Sequence, residues 1–208
     1  MKKIVMLAFI GPALGTALYA QPDGSVQGAM QAAQTAYAGG DFAAAAQQLR
    51  DALQQLRVEF ATKALPGRLP GFQGGQTEVV PMRVPGFAES GAALPVKATR
   101  SYTREDGKAG SVELEVIVGR AAQRDNPFLR FLQQKNMVKG QEAGAATEVA
   151  FGSGKATVKT LSESGAIQAD ADAGKMGSVK LTCTGCKDAA EVQGLLKGLD
   201  PALLAQTF

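Results

Sequence analysis

The chain of 208 residues contains no histidine and no tryptophan, and phenylalanine and tyrosine raise its aromatic content to only 6%. Without histidine, the sequence excludes Ser-His-Asp triads, HExxH zinc sites, histidine-ligated haem and histidine general bases. The scarcity of aromatic rings argues against a surface that stacks on sugars or bases. Because no cofactor fingerprint or assembled set of catalytic residues stands out, we predict no cofactor and favour a non-enzymatic role.

Residues 1–20 have the three-part layout of a secretory signal peptide. Lys2 and Lys3 precede an apolar run at residues 4–10, and the segment ends in small residues. A Gly-Pro pair interrupts the apolar stretch, which falls short of the ~20 residues that a bilayer span needs. We therefore expect cleavage after Ala20, or alternatively after Ala17, and a periplasmic or secreted mature protein without stable membrane insertion.

The charge balance of the mature chain is close to neutral. Loss of Lys2 and Lys3 would reduce the 22 basic residues to 20, against 19 acidic ones. No cluster of lysine and arginine remains to attract a polyanion, so we predict no nucleic-acid partner. A protein partner is the remaining possibility, and the sequence does not determine the oligomeric state.

Residues 21–65 are predicted to form a helical hairpin. Their Ala, Gln, Leu and Arg content favours helix, while Gly39-Gly40 and Asp41 indicate a helix stop followed by an N-cap. Apolar residues at three- and four-residue spacing predict one buried stripe on the second helix. The predicted stripe consists of Phe42, Ala45, Leu49, Ala52, Leu53, Leu56 and Phe60.

This hairpin resembles the middle of a tetratricopeptide repeat. The resemblance rests on Ala36-Tyr37, Gly40-Asp41-Phe42, Ala45 and Ala52-Leu53. It covers about residues 28–56, which is less than one repeat, and no second copy follows. Because such repeats need about three stacked units to bury their apolar faces, the resemblance implies close packing of two helices and not a peptide-binding superhelix.

Residues 66–208 are predicted to form an α+β domain. Prolines exclude continuous helix across residues 66–95, where short edge strands at residues 79–80 and 82–84 are expected and Phe72 and Phe87 should reach the core. Alternating apolar residues then predict strands, and two apolar-faced segments predict helices. The strands are predicted at 98–103, 112–118, 147–151, 156–161, 166–171 and 178–183, and the helices after Asp125 and at 187–199.

The predicted fold class is therefore α+β, with an N-terminal αα-hairpin and an antiparallel sheet of five to seven strands with helices on one face. A length of 188 residues after cleavage is ample for one domain, so we expect hairpin and sheet to form a single folded unit.

Two pairs of carboxylates have spacings that a catalytic or metal site could use. Glu113 and Glu115 lie about 7 Å apart on one strand face, a distance that acid/base catalysis can use, but such charges are usual on a solvent-facing strand. Asp170 and Asp172 have the spacing of calcium-loop ligands, yet Gly174 and Leu181 occupy further ligand positions. We predict neither catalysis nor a metal site from these residues.

The one motif that could carry chemistry is Cys183-Thr184-Gly185-Cys186. It lies where a predicted strand turns into a helix near Lys187, and a helix N-terminus favours thiolate. Thioredoxin-like oxidoreductases and heavy-metal-associated domains place CxxC at such a junction, and the resemblance is confined to the motif. We favour a short structural disulfide formed after export, with thiol redox chemistry or soft-metal binding by Cys183 and Cys186 as alternatives.

Overall fold

The computed structural model describes residues 25–82, 93–119, 146–173 and 177–205. The predicted signal peptide, the predicted strand residues 83–84, Phe87 and the helix predicted after Asp125 lie outside these ranges. Within them, no helix combines the length and the apolar character that crossing a membrane requires.

Two antiparallel helices form the N-terminal hairpin, α1 (Val26–Ala38) and α2 (Phe42–Lys63). Gly40 adopts a positive φ of 80°, which lets the chain reverse between them. The Asp41 carboxylate then caps α2 by accepting a hydrogen bond of 2.9 Å from the Ala44 N–H. The predicted hairpin, with its Gly turn and Asp cap, is thus confirmed.

Small side chains let the two helices approach closely. The buried residues of α1 are all alanines, and the buried residues in the first half of α2 are also alanines. Further along, the buried side chains of α2 include Phe60 and Ala61, which belong to the same core as the sheet. The first half of α2 therefore packs on α1, and its second half packs on the sheet.

The sheet is antiparallel throughout and curled, with the strand order β1-β2-β3-β4-β8-β7-β6-β5. It consists of two meanders, β1 to β4 and β5 to β8, which meet where β4 pairs with β8. The strands are β1 (Arg68–Leu69), β2 (Phe72–Pro81), β3 (Val96–Arg104), β4 (Ser111–Val118), β5 (Thr147–Phe151), β6 (Gly154–Thr160), β7 (Ile167–Ala173) and β8 (Gly177–Thr184).

One face of this sheet forms the core. Alternate residues of neighbouring strands face each other across it, as in the pairing of Leu114 with Leu181 and of Val116 with Val179. The second half of α2 covers β2 to β4, while α3 (Ala189–Leu196) and α4 (Pro201–Ala205) cover strands of the second meander. The α+β class is confirmed, with seven longer strands and the two-residue β1 in the described part of the chain.

Buried polar groups of β3 fix the segment that follows α2. Arg100 Nη1 donates to the Leu65 carbonyl at 2.7 Å, and the Tyr102 hydroxyl donates to the Pro66 carbonyl at 2.8 Å. Burial raises the pKa of Tyr102 to about 12, so this phenol stays protonated at neutral pH and keeps its hydrogen bond. The end of the hairpin is thereby tied to the third strand of the sheet.

Two members of the predicted buried stripe are exposed. Phe42 is 64% exposed and Leu49 is 55% exposed, so their prediction as core residues is wrong. The stripe runs along one side of α2, but α1 covers only the flank that carries Ala45 and Ala52. Helical periodicity identifies residues on one face without identifying what covers that face.

Three element boundaries also differ from the predictions. Strand β2 covers ten residues, whereas the sequence predicts pairing only near residues 79–80. Residues 172–173 continue β7 instead of forming a turn. Helix α3 begins after Asp188, whose side chain caps it, and not at Lys187.

Candidate functional site

The CxxC motif closes a tight turn at the end of β8. Cys183 is fully buried on the core face of the sheet, where it pairs with Val112 of β4 and Ile167 of β7. Cys186 is half-buried in the turn. The two sulfur atoms lie at disulfide-bonding distance, and their Cα atoms are 5.7 Å apart. The geometry therefore accommodates the predicted short disulfide.

Carboxylates occupy the N-terminus of the helix that follows the motif. The Glu191 N–H donates to the Asp188 carboxylate at 2.9 Å, and the Lys187 N–H donates to the Glu191 carboxylate at 2.8 Å. Asp188 is the N-cap and Glu191 is the third helical residue, as in a capping box, but Glu191 accepts from the N–H one residue before the cap; carboxylate oxygens thus accept hydrogen bonds at the helix N-terminus. The expected stabilisation of a thiolate by this helix is weakened, because two negative charges already lie there.

Arg104 of β3 holds the turn against the sheet. Its Nη2 donates to the Glu191 carboxylate at 2.7 Å and to the Gly185 carbonyl at 3.3 Å, and its side chain is only 13% exposed. Its guanidinium carbon lies 4.9 Å from the centre of the Phe72 ring, which adds a cation–π contact. The Lys187 N–H first, and then Arg104, lower the pKa of Glu191. One partly buried arginine thus joins β3, the CxxC turn and α3.

These contacts describe a braced structural turn. A redox or metal-binding thiol needs an accessible sulfur; Cys183 is fully buried, so only the half-buried Cys186 could supply it. Across the described residues, no group of three or more His, Cys, Asp or Glu side chains is placed to hold a metal ion. The disulfide-bonding distance of the two sulfur atoms and the contacts of Arg104 fit the predicted structural disulfide.

A polar groove of about 440 Å³ lies on the outward face of the sheet, across β4, β8, β7 and β6. Lys180 stands opposite Glu115 on one side and Asp170 on the other. Each of these carboxylates also pairs with another lysine: Glu115 with Lys97 at 3.6 Å and Asp170 with Lys159 at 3.5 Å. Charges of opposite sign therefore alternate and compensate each other, as expected of a solvated sheet face.

The predicted carboxylate pairs both fall on this outward face. Glu113 stands opposite Thr182, and Glu115 belongs to the row of alternating charges. Asp170 accepts a hydrogen bond of 2.6 Å from Gln168 Nε2, and Asp172 lines the same groove. The outward position expected for Glu113 and Glu115 agrees with the structure, whereas Asp172 lies in β7 and not in the solvated turn that the sequence predicts.

The hairpin carries an exposed apolar face. Four of its large apolar side chains are at least half exposed: Met30 at 50%, Tyr37 at 67%, Phe42 at 64% and Leu49 at 55%. The Tyr37 and Phe42 rings meet edge to face, with centroids 5.5 Å apart. This contact joins the exposed residues of α1 to those of α2. We call these four side chains the hairpin face.

The surroundings of the hairpin face are almost uncharged. Between residues 26 and 56 the only ionisable acids and bases with charge at neutral pH are Asp41, Arg50 and Asp51. Asp41 caps its own helix, and Gln47 bridges the other two by accepting from Arg50 at 2.6 Å and donating to Asp51 at 3.0 Å. All three charged groups are therefore engaged within α2.

Sequence reasoning missed the hairpin face because it assigned Phe42 and Leu49 to the core. A usable signal was present in the spacing, since Met30 and Tyr37 are seven residues apart, as are Phe42 and Leu49. The buried Ala29 and Ala36, and Ala45 and Ala52, have the same spacing, so each helix carries a second apolar stripe beyond the one that the contact between the two helices buries.

Comparison with known proteins returned no match to a protein-family model, to a curated protein or to a solved structure. The tetratricopeptide resemblance therefore stays a local similarity of about residues 28–56. Functional inference rests on the geometry of the chain itself.

Proposed function

We propose that this protein is exported and acts in the periplasm as a non-enzymatic interaction module that binds a protein partner through the hairpin face. The observation that carries the proposal is the exposure of Met30, Tyr37, Phe42 and Leu49 on one small element. Contiguous apolar side chains on a protein surface mark interaction sites, because leaving them in water forfeits the free energy of burial.

The arrangement of the hairpin face favours a helical partner. Residues seven apart lie on the same side of a helix, so Met30 with Tyr37 and Phe42 with Leu49 form two stripes along the helix axes. The contact between the Tyr37 and Phe42 rings joins the two stripes at the end of the hairpin where the chain turns. A helix or pair of helices lying lengthwise on the hairpin would contact both stripes at once.

The charge of the hairpin argues against lipid and nucleic-acid partners. Helices that lie on membrane surfaces carry many lysines and arginines on their polar face, and nucleic-acid surfaces do so too. Arg50 is the only basic residue between positions 26 and 56, and Gln47 already engages it. A neutral, apolar protein surface is the partner class that this composition suits.

Two features support the export part of the proposal. Residues 1–20 have the signal-peptide layout, and Cys183 and Cys186 lie at disulfide-bonding distance, a pairing that persists in oxidising compartments. The intact mass of the protein from a periplasmic extract should correspond to a chain that starts at Gln21 or at Leu18. A full-length chain starting at Met1 in the membrane fraction would contradict export.

Photo-crosslinking in exporting cells tests the binding part. p-Benzoylphenylalanine is placed at Tyr37 or Phe42 and, as a matched control, at Val80, an apolar residue of β2 that is 41% exposed but lies outside the hairpin. We expect a discrete adduct from Tyr37 and Phe42 and none from Val80. No adduct from either hairpin position, or the same adduct from all three, would contradict the proposal.

A further inference from the structure

We infer that the partner of the hairpin face is a second copy of this chain, and that two hairpins pack around a two-fold axis as a four-helix bundle. The inference rests on the proposed function, because it assumes that the hairpin face binds a protein. It adds the identity of that protein and the geometry of the contact.

The two helices of the hairpin form a single layer that lacks a second apolar layer on its exposed side in the described residues. In the first half of the hairpin the buried residues are the alanines between α1 and α2, while large side chains of both helices point elsewhere and remain exposed. A pair of helices forms one layer, and a helical layer needs a second layer to bury an apolar face. Two αα-hairpins supply each other with that layer in a four-helix bundle.

The exposed surface of α2 combines large side chains with a small one. Ala46 lies between Phe42 and Leu49 on the same face of α2 and is itself exposed, so the surface carries a gap beside each of two large side chains. Helices pack by inserting large side chains of one surface into gaps of the other. Because one hairpin offers both features, a second copy can receive its side chains and insert its own.

The few charged side chains near the hairpin face are compatible with a contact between two identical surfaces. A two-fold interface brings the same patch of each subunit together, so a patch with unbalanced charge would repel itself. Here Asp41 is held in a helix cap, and Gln47 bridges Arg50 and Asp51 within α2. The hairpin face therefore meets its own copy without like-charge repulsion at its centre, and it offers no charge pattern for a partner of opposite sign.

Analytical ultracentrifugation of the purified, exported chain tests self-pairing. We expect a concentration-dependent dimer at twice the monomer mass. The double variant Phe42→Ser/Leu49→Ser should weaken the dimer by at least about 30-fold, the effect of removing a central apolar contact. Val80→Ser, the control outside the hairpin, should leave the dimer unchanged, and circular dichroism should show that all variants stay folded.

A second variant distinguishes loss of the interface from unfolding of the hairpin. Ala46→Glu leaves the large side chains in place but fills the gap and brings two negative charges together across the two-fold axis. Because residue 46 is exposed in the monomer, this substitution should abolish the dimer without lowering the helix content. A dimer that persists in both variants would place the interface elsewhere and overturn the inference.

The two proposals fail in distinguishable ways. A wild-type chain that stays monomeric at its highest soluble concentration overturns self-pairing. If the photo-crosslinked adduct of Phe42 then has a mass other than twice that of the chain, the hairpin face binds a different protein and the proposed function stands. A monomer that also yields no adduct overturns both.

Discussion

Leucines of the sheet and of the hairpin occupy opposite environments in this molecule. Leu114 and Leu181 are fully buried and face each other across the β4–β8 pair, whereas Leu49 is 55% exposed on α2. Among the described residues, the sheet has helices over its apolar face, while the first half of α2 packs mainly on α1. The described part of the hairpin therefore leaves large apolar side chains in solvent that a partner could bury.

The largest expected effect contrasts these leucines directly. Leu114→Ala or Leu181→Ala should lower the free energy of unfolding by about 2–5 kcal/mol, because each leaves a cavity in a packed core. Leu49→Ala in the monomer should change it by less than about 1 kcal/mol, since an exposed side chain leaves no cavity. Urea unfolding of the three variants measures the difference.

If all three substitutions lowered the free energy of unfolding equally, the sheet and the hairpin would not differ in how their leucines are packed. The unfolding should be recorded at a concentration where the chain is monomeric, because a dimer would bury Leu49 and raise its cost. A larger cost for Leu49→Ala at high protein concentration than at low concentration would strengthen the inference of self-pairing.

A second contrast compares two glycines with the same backbone conformation. Gly40 in the hairpin turn and Gly185 in the CxxC turn have φ values of +80° and +81°. A Cβ at position 40 meets no atom within 4 Å, whereas at position 185 it would lie 3.0 Å from the Ala109 carbonyl oxygen. Gly40→Ala should cost about 1–2 kcal/mol from backbone strain alone, and Gly185→Ala distinctly more.

Thermal unfolding of the two glycine variants measures the added effect of crowding. The shared strain of a positive φ cancels in the comparison, so the difference reports how tightly the CxxC turn packs on the β3–β4 hairpin. If both substitutions lower stability equally, the turn has room to move and Arg104 does not hold it in place.

The sequence allowed much of this fold to be predicted because local patterns decide it. Alternating apolar residues predict strands at 98–103 and 112–118, and the structure pairs these segments as β3 and β4, with Tyr102 opposite Val112. The Gly40 turn and the Asp41 cap were equally local. In each case the deciding residues are neighbours in the chain.

Other features depend on contacts that no local pattern contains. The order of the strands depends on β5 joining the far edge and β8 returning beside β4, and nothing in either segment specifies this partner. The exposure of Phe42 depends on what covers α2. By contrast, the start of α3 could have been predicted, because Asp188 and Glu191 have the spacing of a capping box.

The disulfide between Cys183 and Cys186, at the end of β8, should contribute little to stability. Its loop holds only two intervening residues, so in the chain-entropy model the crosslink contributes about 2 kcal/mol or less. Reduction should therefore lower the midpoint of urea unfolding modestly and leave the protein folded. The measurement is unfolding with and without reductant, with thiol trapping to confirm that Cys183 and Cys186 are reduced.

Unfolding of the whole domain on reduction would mean that the crosslink, and not the Arg104 contacts, holds the turn. A double Cys183→Ala/Cys186→Ala variant provides the control, since reductant should not change its stability further. Full stability after reduction, with a redox midpoint like that of periplasmic oxidants, would instead favour the thiol-active hypothesis.

The smallest expected effect is a pH dependence that separates the braced CxxC turn from the hairpin. The Lys187 N–H and then Arg104 hold the pKa of Glu191 below its ordinary value of about 4.3. A carboxyl with a depressed pKa contributes stability above its unfolded pKa, and this contribution is lost as the pH falls through the folded value. Acid below the ordinary glutamate pKa, and not mild acid, should therefore loosen the CxxC turn and α3 before it affects α1 and α2.

Glu191→Gln tests this assignment because glutamine can keep the hydrogen bond to the Lys187 N–H but lacks the charge that pairs with Arg104. At neutral pH the variant should be slightly less stable than the wild type, and the difference should shrink as the pH falls through the depressed pKa of Glu191, where the wild-type carboxyl becomes protonated. Hydrogen exchange along α3 and α2 at several pH values measures both segments at once. A pH-independent difference between variant and wild type would show that the Glu191 charge contributes nothing, and acid loosening of α2 alongside α3 would show that the two regions do not respond separately.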